Sequence, residues 1–151
     1  MINIVLSSVL KPEYLNKDYK KLLLNVYKQE YETKSNNCGY IVKVNEIKDI
    51  ISSMLNNNND IIVESLCNCD IFKPEIDMNV ECKIDMIHVN GIFVSKYKIK
   101  ILIPESSNNY SYKQTYFIYD KKSYYVNDTI TIRIVNIRYD KYTYSCIGKL
   151  I

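Results

Sequence analysis

Apolar positions along the chain follow two rhythms. Asn3 to Leu10 mixes β-branched and apolar residues before Pro12, which predicts an opening strand. From about Lys17 to Glu32 the spacing changes to three and four: Tyr19, Leu22, Leu23, Val26, Tyr27 and Tyr31 fall on one stripe, predicting an amphipathic helix. Asn16 is placed to cap it, and Asp18 sits favourably near the positive end of the helix dipole. After the polar break Ser35-Asn36-Asn37, Cys38 to Val44 predicts a strand introduced by Gly39. Ile47 to Leu55 fits either a strand or a short helix. Strand is favoured because Ile50 and Ile51 lead into a turn at Asn56–Asp60, after which Ile61 to Phe72 resumes extended structure. Lys73-Pro74 closes the region, because proline lacks a ladder donor and biases its predecessor away from helix.

Beyond Met78 the rhythm is strand after strand. Val80, Cys82, Ile84 and Met86 alternate with Glu81, Lys83, Asp85 and Ile87, the signature of a half-buried strand with the first set inward. Asn90-Gly91 signals a tight turn. Ile92 to Tyr97 and Ile99 to Ile103 follow as strands, with Pro104 at their end. A polar stretch, Glu105 to Gln114, precedes a strand at Thr115 to Tyr119 and a turn at Asp120-Lys121-Lys122-Ser123. Thr129 to Tyr139 and Tyr142 to Leu150 form a hairpin around Asp140-Lys141. Short strands at near-regular spacing without a helix predict a small closed barrel. The expectation is an α+β chain, with a helix on an antiparallel sheet over 1–77 and a β-barrel over 78–151.

Composition sharpens this picture. In 151 residues, 47% hydrophobic and 25% charged, the chain has the balance of an ordinary globular protein. Apolar runs such as Ile61 to Val63 are far too short to span a bilayer, and no signal peptide is indicated, so a soluble intracellular protein is expected. Five cysteines scattered among apolar residues predict reduced, buried thiols. Cys67-Asn68-Cys69 lacks the two-residue spacing and second ligand pair of a zinc site, so no metal is expected. Abundant lysine, asparagine, isoleucine and tyrosine, with 3 glycines and no tryptophan, reflect AT-rich codons. Charge is uneven: residues 1–78 carry 9 Lys/Arg and 11 Asp/Glu, whereas residues 79–151 carry 11 Lys/Arg and 6 Asp/Glu. Tyrosine follows the same skew, with 5 in the first part and 10 in the second. A basic, aromatic-rich region suits single-stranded nucleic acid, since cations track phosphates and rings stack on bases.

Gly39-Tyr40-Ile41-Val42 after an amphipathic helix, then Ile71-Phe72-Lys73-Pro74, then Asn90-Gly91-Ile92-Phe93-Val94, resembles the stalk-subunit family of multisubunit DNA-dependent RNA polymerases. That family includes the seventh subunit of eukaryotic RNA polymerase II and its archaeal counterpart. The resemblance runs from about Ile4 to Leu150. It implies a non-catalytic accessory subunit whose N-terminal tip domain docks on the large polymerase core subunits near the clamp. It also implies a C-terminal OB-fold reaching toward nascent single-stranded RNA. The family usually pairs with a second, helical stalk subunit, though some viral enzymes dispense with it. Gly39, Tyr40, Ile41 and Val42, with Asn56, Asn57, Asn58, Asn59 and Asp60, are the core-docking positions the resemblance implies. Phe93 sits where OB-folds of this type expose a stacking ring, and alternation independently places Phe93 and Ser95 opposite Ile92 and Val94. Lys83, Lys96, Lys98, Arg133, Arg138 and Tyr139 are the further candidates for RNA contact. Two departures stand out: Asn56-Asn57-Asn58-Asn59 replaces glycines of the family's turn, and Tyr97-Lys98 replaces a Gly-Pro pair. Asparagine tolerates positive φ, so the first is compatible with a turn. The second puts the barrel loop, and detailed RNA contacts there, in question. Short length and AT-rich composition point to a large cytoplasmic DNA virus. A viral member would work in cytoplasmic factories or the virion, a cellular one in the nucleus.

Catalysis finds little support in the residues. His88 is the only histidine and no nucleophile motif adjoins it. Gly39, Gly91 and Gly148 cannot make a phosphate-cradling loop, Glu75 and Asp77 read as a solvated linker, and no cofactor is expected. Two rival readings remain: a free-standing OB-fold single-stranded RNA-binding protein, such as a translation-initiation-like factor, and a purely structural assembly subunit.

Overall fold

Period-two alternation becomes strand over most of the chain in the computed structural model, which describes residues 1–14 and 18–151. They divide into two units, Met1–Phe72 and Lys73–Ile151. No helix among the described residues is long and apolar enough to cross a membrane.

The first unit contains β1 (Ile2–Leu10), a short 3-10 turn at Pro12–Tyr14, α1 (Tyr19–Tyr31), β2 (Lys34–Asn36), β3 (Gly39–Leu55) and β4 (Ile61–Phe72). The sheet order is β1-β4-β3-β2, with every neighbouring pair antiparallel. Ile4, Leu6 and Leu10 of β1 and Val63, Cys67 and Cys69 of β4 share one buried cluster with Leu23 and Tyr27 of α1. Tyr27 anchors the cluster with its hydroxyl as well as its ring. Its hydroxyl lies 3.3 and 3.2 Å from the Leu6 and Val63 carbonyls, to one of which its proton is donated, and 3.0 Å from Ser65 Oγ, from which it can accept. Asn16 lies outside the described residues; Asp18 occupies the N-cap position but makes no side-chain capping bond. At the other end Glu32 turns extended, and its Oε1 accepts from the Val44 backbone N–H at 2.9 Å.

β3 explains why its sequence fits two elements. Register with β4 slips four times, between Ile41 and Lys43, Val44 and Glu46, Ile47 and Asp49, and Ile50 and Ser52. Each slip leaves one bulged residue, and together they bring Ile41, Val44, Ile47 and Ile50 opposite Ile71, Cys69, Cys67 and Ser65 on the core face. A three-residue apolar spacing, helical by itself, is thus held as strand by a bulge at every third residue. The turn after it is built by asparagine. Asn56 Oδ1 accepts from the backbone N–H of Asn58 and Asp60 (2.9 and 3.0 Å), and Asn59 takes φ 62°.

The second unit contains β5 (Asn79–His88), β6 (Gly91–Lys96), β7 (Ile99–Pro104), β8 (Ser111–Tyr112), β9 (Tyr116–Tyr119), β10 (Lys122–Tyr125), β11 (Thr129–Asp140) and β12 (Thr143–Leu150). Five of these close a barrel in the order β11-β12-β7-β6-β5. β12 and β7 run parallel and the other neighbours antiparallel. This barrel is compatible with an OB-fold. Cys82, Ile84, Ile92, Val94, Ile101, Ile103, Ile132, Ile134 and Cys146 fill it.

Two expectations from periodicity fail in this unit. Plain alternation in β5 carries Met86 inward and Ile87 outward; instead the register slips between Ile84 and Met86, so Met86 is 48% exposed and Ile87 is buried. The Asp120–Ser123 turn is tighter than expected. Asp120 and Lys121 alone form it, with φ of 49° and 63°, and β10 starts at Lys122. β8, β9 and β10 then form their own three-stranded sheet outside the barrel wall. Its centre is Phe117, fully buried, with Tyr124 stacked at 5.1 Å and Tyr110 edge-on at 5.5 Å.

Candidate nucleic-acid interface

Cross-strand partners in a sheet share a face, so the barrel's register fixes which side chains stand together on its outer surface. Met86 pairs with Phe93, Phe93 with Leu102, Leu102 with Ile147, and Ile147 with Asn136. This apolar row crosses β5, β6, β7 and β12 and meets β11 at a polar end. With strands about 4.8 Å apart, Met86 to Ile147 spans about 14 Å. Phe93, its only aromatic ring, is 37% exposed.

A second row runs beside the first. Lys83 pairs with Ser95, Ser95 with Lys100, Lys100 with Ser145, and Ser145 with Arg138. On β6, β7, β12 and β11 each member lies two residues from a member of the apolar row, or about 6.6 Å along the strand. On β5 the bulge makes the spacing three. Arg138 is partly compensated by Asp140, at 3.6 Å, but both are exposed and such a pair is weak. Beyond the apolar row on the opposite side, Lys149 stands across from Arg133. Arg133 Nε donates to Asn79 Oδ1 at 3.2 Å. Because the five strands close into a barrel, the rows wind around it. Met86, Phe93 and Leu102 with Lys83, Ser95 and Lys100 stand on the β5–β7 side. Ile147, Ser145 and Arg138 continue on β12 and β11, each side offering an apolar strip with a flanking cation. That arrangement can seat bases on the strip and phosphates on the flanks.

Of the sequence-derived candidates, Phe93 and Lys83 stand on the β5–β7 side of the barrel, and Arg138 and Arg133 stand on β11. Lys96 lines a depression together with Lys83 and Ser95, and two others lie elsewhere. Lys96 is opposite buried Ile99, half-buried, with Nζ 5.2 Å from the Tyr97 ring centroid. Lys98 is exposed in the turn after β6, where Tyr97 takes φ 55°. Tyr139 pairs with buried Tyr144, ring centroids 4.7 Å apart, on the inward phase of β11. Sequence reasoning did not single out Lys100, Leu102 or Ile147. Alternation with Ile99, Ile101 and Ile103 was signal enough for Lys100, whereas Met86 needed the bulge.

The docking candidates differ among themselves in burial. Gly39, Tyr40 and Ile41 are buried, Val42 is partly exposed, and Asn57, Asn58 and Asn59 are exposed between partly exposed Asn56 and Asp60. The sheet face opposite the Leu23–Tyr27 cluster is mixed, with two apolar groups separated by Ser7, Glu64 and Ser52. Val9 pairs with Ile62 and Ile62 with Met54, while Val5 pairs with Leu66. Val5, Val9 and Met54 are 55%, 51% and 59% exposed.

Four of the five thiols are inward; Cys38, expected to be buried, is partly exposed. Burial pushes Cys67 and Cys82 up to about 12 and Cys69 and Cys146 up to about 11, which holds them protonated and unreactive at neutral pH. No family model matches the chain, and no curated protein sequence matches it.

Proposed function

We propose that this chain is a non-catalytic stalk subunit of a DNA-dependent RNA polymerase, with a barrel that contacts nascent single-stranded RNA. The observation that carries the RNA half is the pair of adjacent rows, Met86–Phe93–Leu102–Ile147 and Lys83–Ser95–Lys100–Ser145–Arg138. Rings and apolar side chains accept any base, and flanking cations follow the phosphates, so recognition is of single strands.

The docking half is supported by the resemblance of Gly39–Val42, Ile71–Pro74 and Asn90–Val94 to the stalk family. It is also supported by the exposed Val5, Val9 and Met54 on the first unit's sheet. Apolar side chains grouped on one exposed sheet face mark a protein-binding surface. A free-standing RNA-binding factor would leave that face without a role.

Affinity purification from the native source tests the assignment. Co-elution with large polymerase subunits is expected, and recovery with ribosomes instead would sink it. Single-stranded RNA binding by the purified chain is expected to be weak and to fall with salt.

A further inference from the structure

Beside Phe93 the surface dips into a depression of about 370 Å³ lined by Met86, His88, Asn90, Gly91, Phe93 and Leu102. That volume lies at the small end of the range for ligand pockets, about 300–1,000 Å³. Three features of the sequence make it. The β5 bulge turns Met86 outward to form one wall. Gly91 keeps the floor low: a Cβ there would come within 2.8 Å of Leu102 Cδ1 and 3.1 Å of the Ile103 carbonyl oxygen. The turn itself is Val89–Asn90, so Gly91, expected as a turn residue, is the first residue of β6 and serves packing.

The third feature is a fixed hydrogen-bond donor. The Asn90 backbone N–H donates to His88 Nδ1 at 3.1 Å. A backbone amide can only donate, so in the neutral imidazole Nδ1 is the acceptor and the proton sits on Nε2. Tyr110 holds the same residue from its backbone, its hydroxyl donating to the His88 carbonyl at 3.3 Å. The depression thus joins a stacking ring and two apolar walls to an imidazole whose free nitrogen donates.

We infer that this depression reads the base stacked at Phe93, favouring one with an exocyclic oxygen over one with an amino group at the corresponding position. With the 4-position of a pyrimidine or the 6-position of a purine toward His88, uracil and guanine present an oxygen as acceptor for Nε2–H. Cytosine and adenine present an amine there and must turn to a ring nitrogen or, for cytosine, O2 to accept the same proton. The inference rests on the RNA-binding reading and adds to it a preference at one nucleotide. Sequence-tolerant stacking alone would give none.

Oligo(U) and oligo(C) of equal length separate the two, because the rings stack similarly and differ chiefly at the edge that His88 would meet. The intact chain should bind oligo(U) about fivefold tighter than oligo(C), the worth of about one net hydrogen bond. His88→Ser should bring that ratio close to one, since a serine hydroxyl still accepts from the Asn90 N–H and keeps the turn but does not reach the depression. His88→Gln, which restores a donor at similar reach, should recover part of the preference. Phe93→Ala should weaken both oligonucleotides. Equal affinities for oligo(U) and oligo(C) in the unaltered chain overturn the base preference and leave the RNA-binding reading standing. A ratio that His88→Ser does not move also overturns it. Failure to bind either oligonucleotide removes both.

Discussion

The two units use the same device, the β-bulge, differently. In the open sheet, four bulges along β3 rescue an apolar spacing of three and turn Ile41, Val44, Ile47 and Ile50 into the core. In the barrel, a bulge in β5 turns Ile87 into the core and Met86 out beside Phe93, and a second bulge lies in β11 between Ile134 and Asn136. The first unit uses its bulges for packing, and the second uses one to shape a surface. Closure accounts for part of the difference. A barrel has no free edges. An open sheet must bury one face against a helix, and here its other face keeps Val5, Val9 and Met54 exposed.

Removing a core side chain from one unit should have the largest effect and show whether the two cores are independent. Leu23→Ala should cost about 2–5 kcal/mol in denaturant unfolding. Hydrogen-exchange protection should drop across β1, β3 and β4, whereas Ile132→Ala should act on the barrel strands. If Leu23→Ala lowered protection equally in β5, β7 and β12, the two cores would not be separate.

Surface changes on the barrel should leave its stability alone and act on RNA. Phe93→Ala should weaken single-stranded RNA binding by about 1–3 kcal/mol, the typical worth of one stacked base. Lys100→Ala should lower the slope of log affinity against log salt by about 0.7, one phosphate contact on a single strand. Lys96→Ala, on the inward phase, should leave that slope unchanged. Fluorescence anisotropy titrations across salt would reveal an exchange of roles between the two lysines.

Alkaline titration separates the units in another way. Burial raises Tyr27 from 10.0 to about 12, and the four buried thiols from 9.0 to about 11 or 12. Above pH 9 the unfolded chain releases these thiol protons while the folded chain keeps them, so stability falls as pH rises. Each unit holds two such thiols; the second adds Tyr110, which burial raises above 10.0, and the first unit adds Tyr27, raised to about 12. The first unit's stability should therefore fall more steeply than the barrel's above pH 10, and Tyr27→Phe should remove the excess. Denaturant unfolding followed separately in each unit at pH 8, 10 and 11 checks the order.

The smallest expected effect on stability is also the most diagnostic for docking. Val5→Lys and Met54→Lys, on the exposed face, should shift unfolding by no more than about 0.5 kcal/mol. Co-purification with polymerase core subunits should nevertheless fail. Retention of the partners by the double variant would move the docking surface elsewhere, with the Asn56–Asp60 turn the next to test.

Much of this was legible in the sequence. Alternation in residues 129–134, 143–150 and 99–103 marked strands of the barrel, and the Leu23–Tyr27 stripe marked the helix, because each element's own period records which side faces the core. Phe93 was legible for the same reason, lying between two buried neighbours. Not legible were Met86 and the Lys83–Lys100–Arg138 row. A bulge leaves no mark in composition, and residues 17 and 38 positions apart become neighbours only once register is set. The separate sheet of β8, β9 and β10 was hidden too, since strands of two to four residues are too short to show a period. Local periodicity, then, fixed which residues are strand, which are helix, and most of which side each presents. Only the tertiary structure decided which strands adjoin and with what register, because pairing depends on contacts among distant segments. The candidate RNA surface exists at that second level.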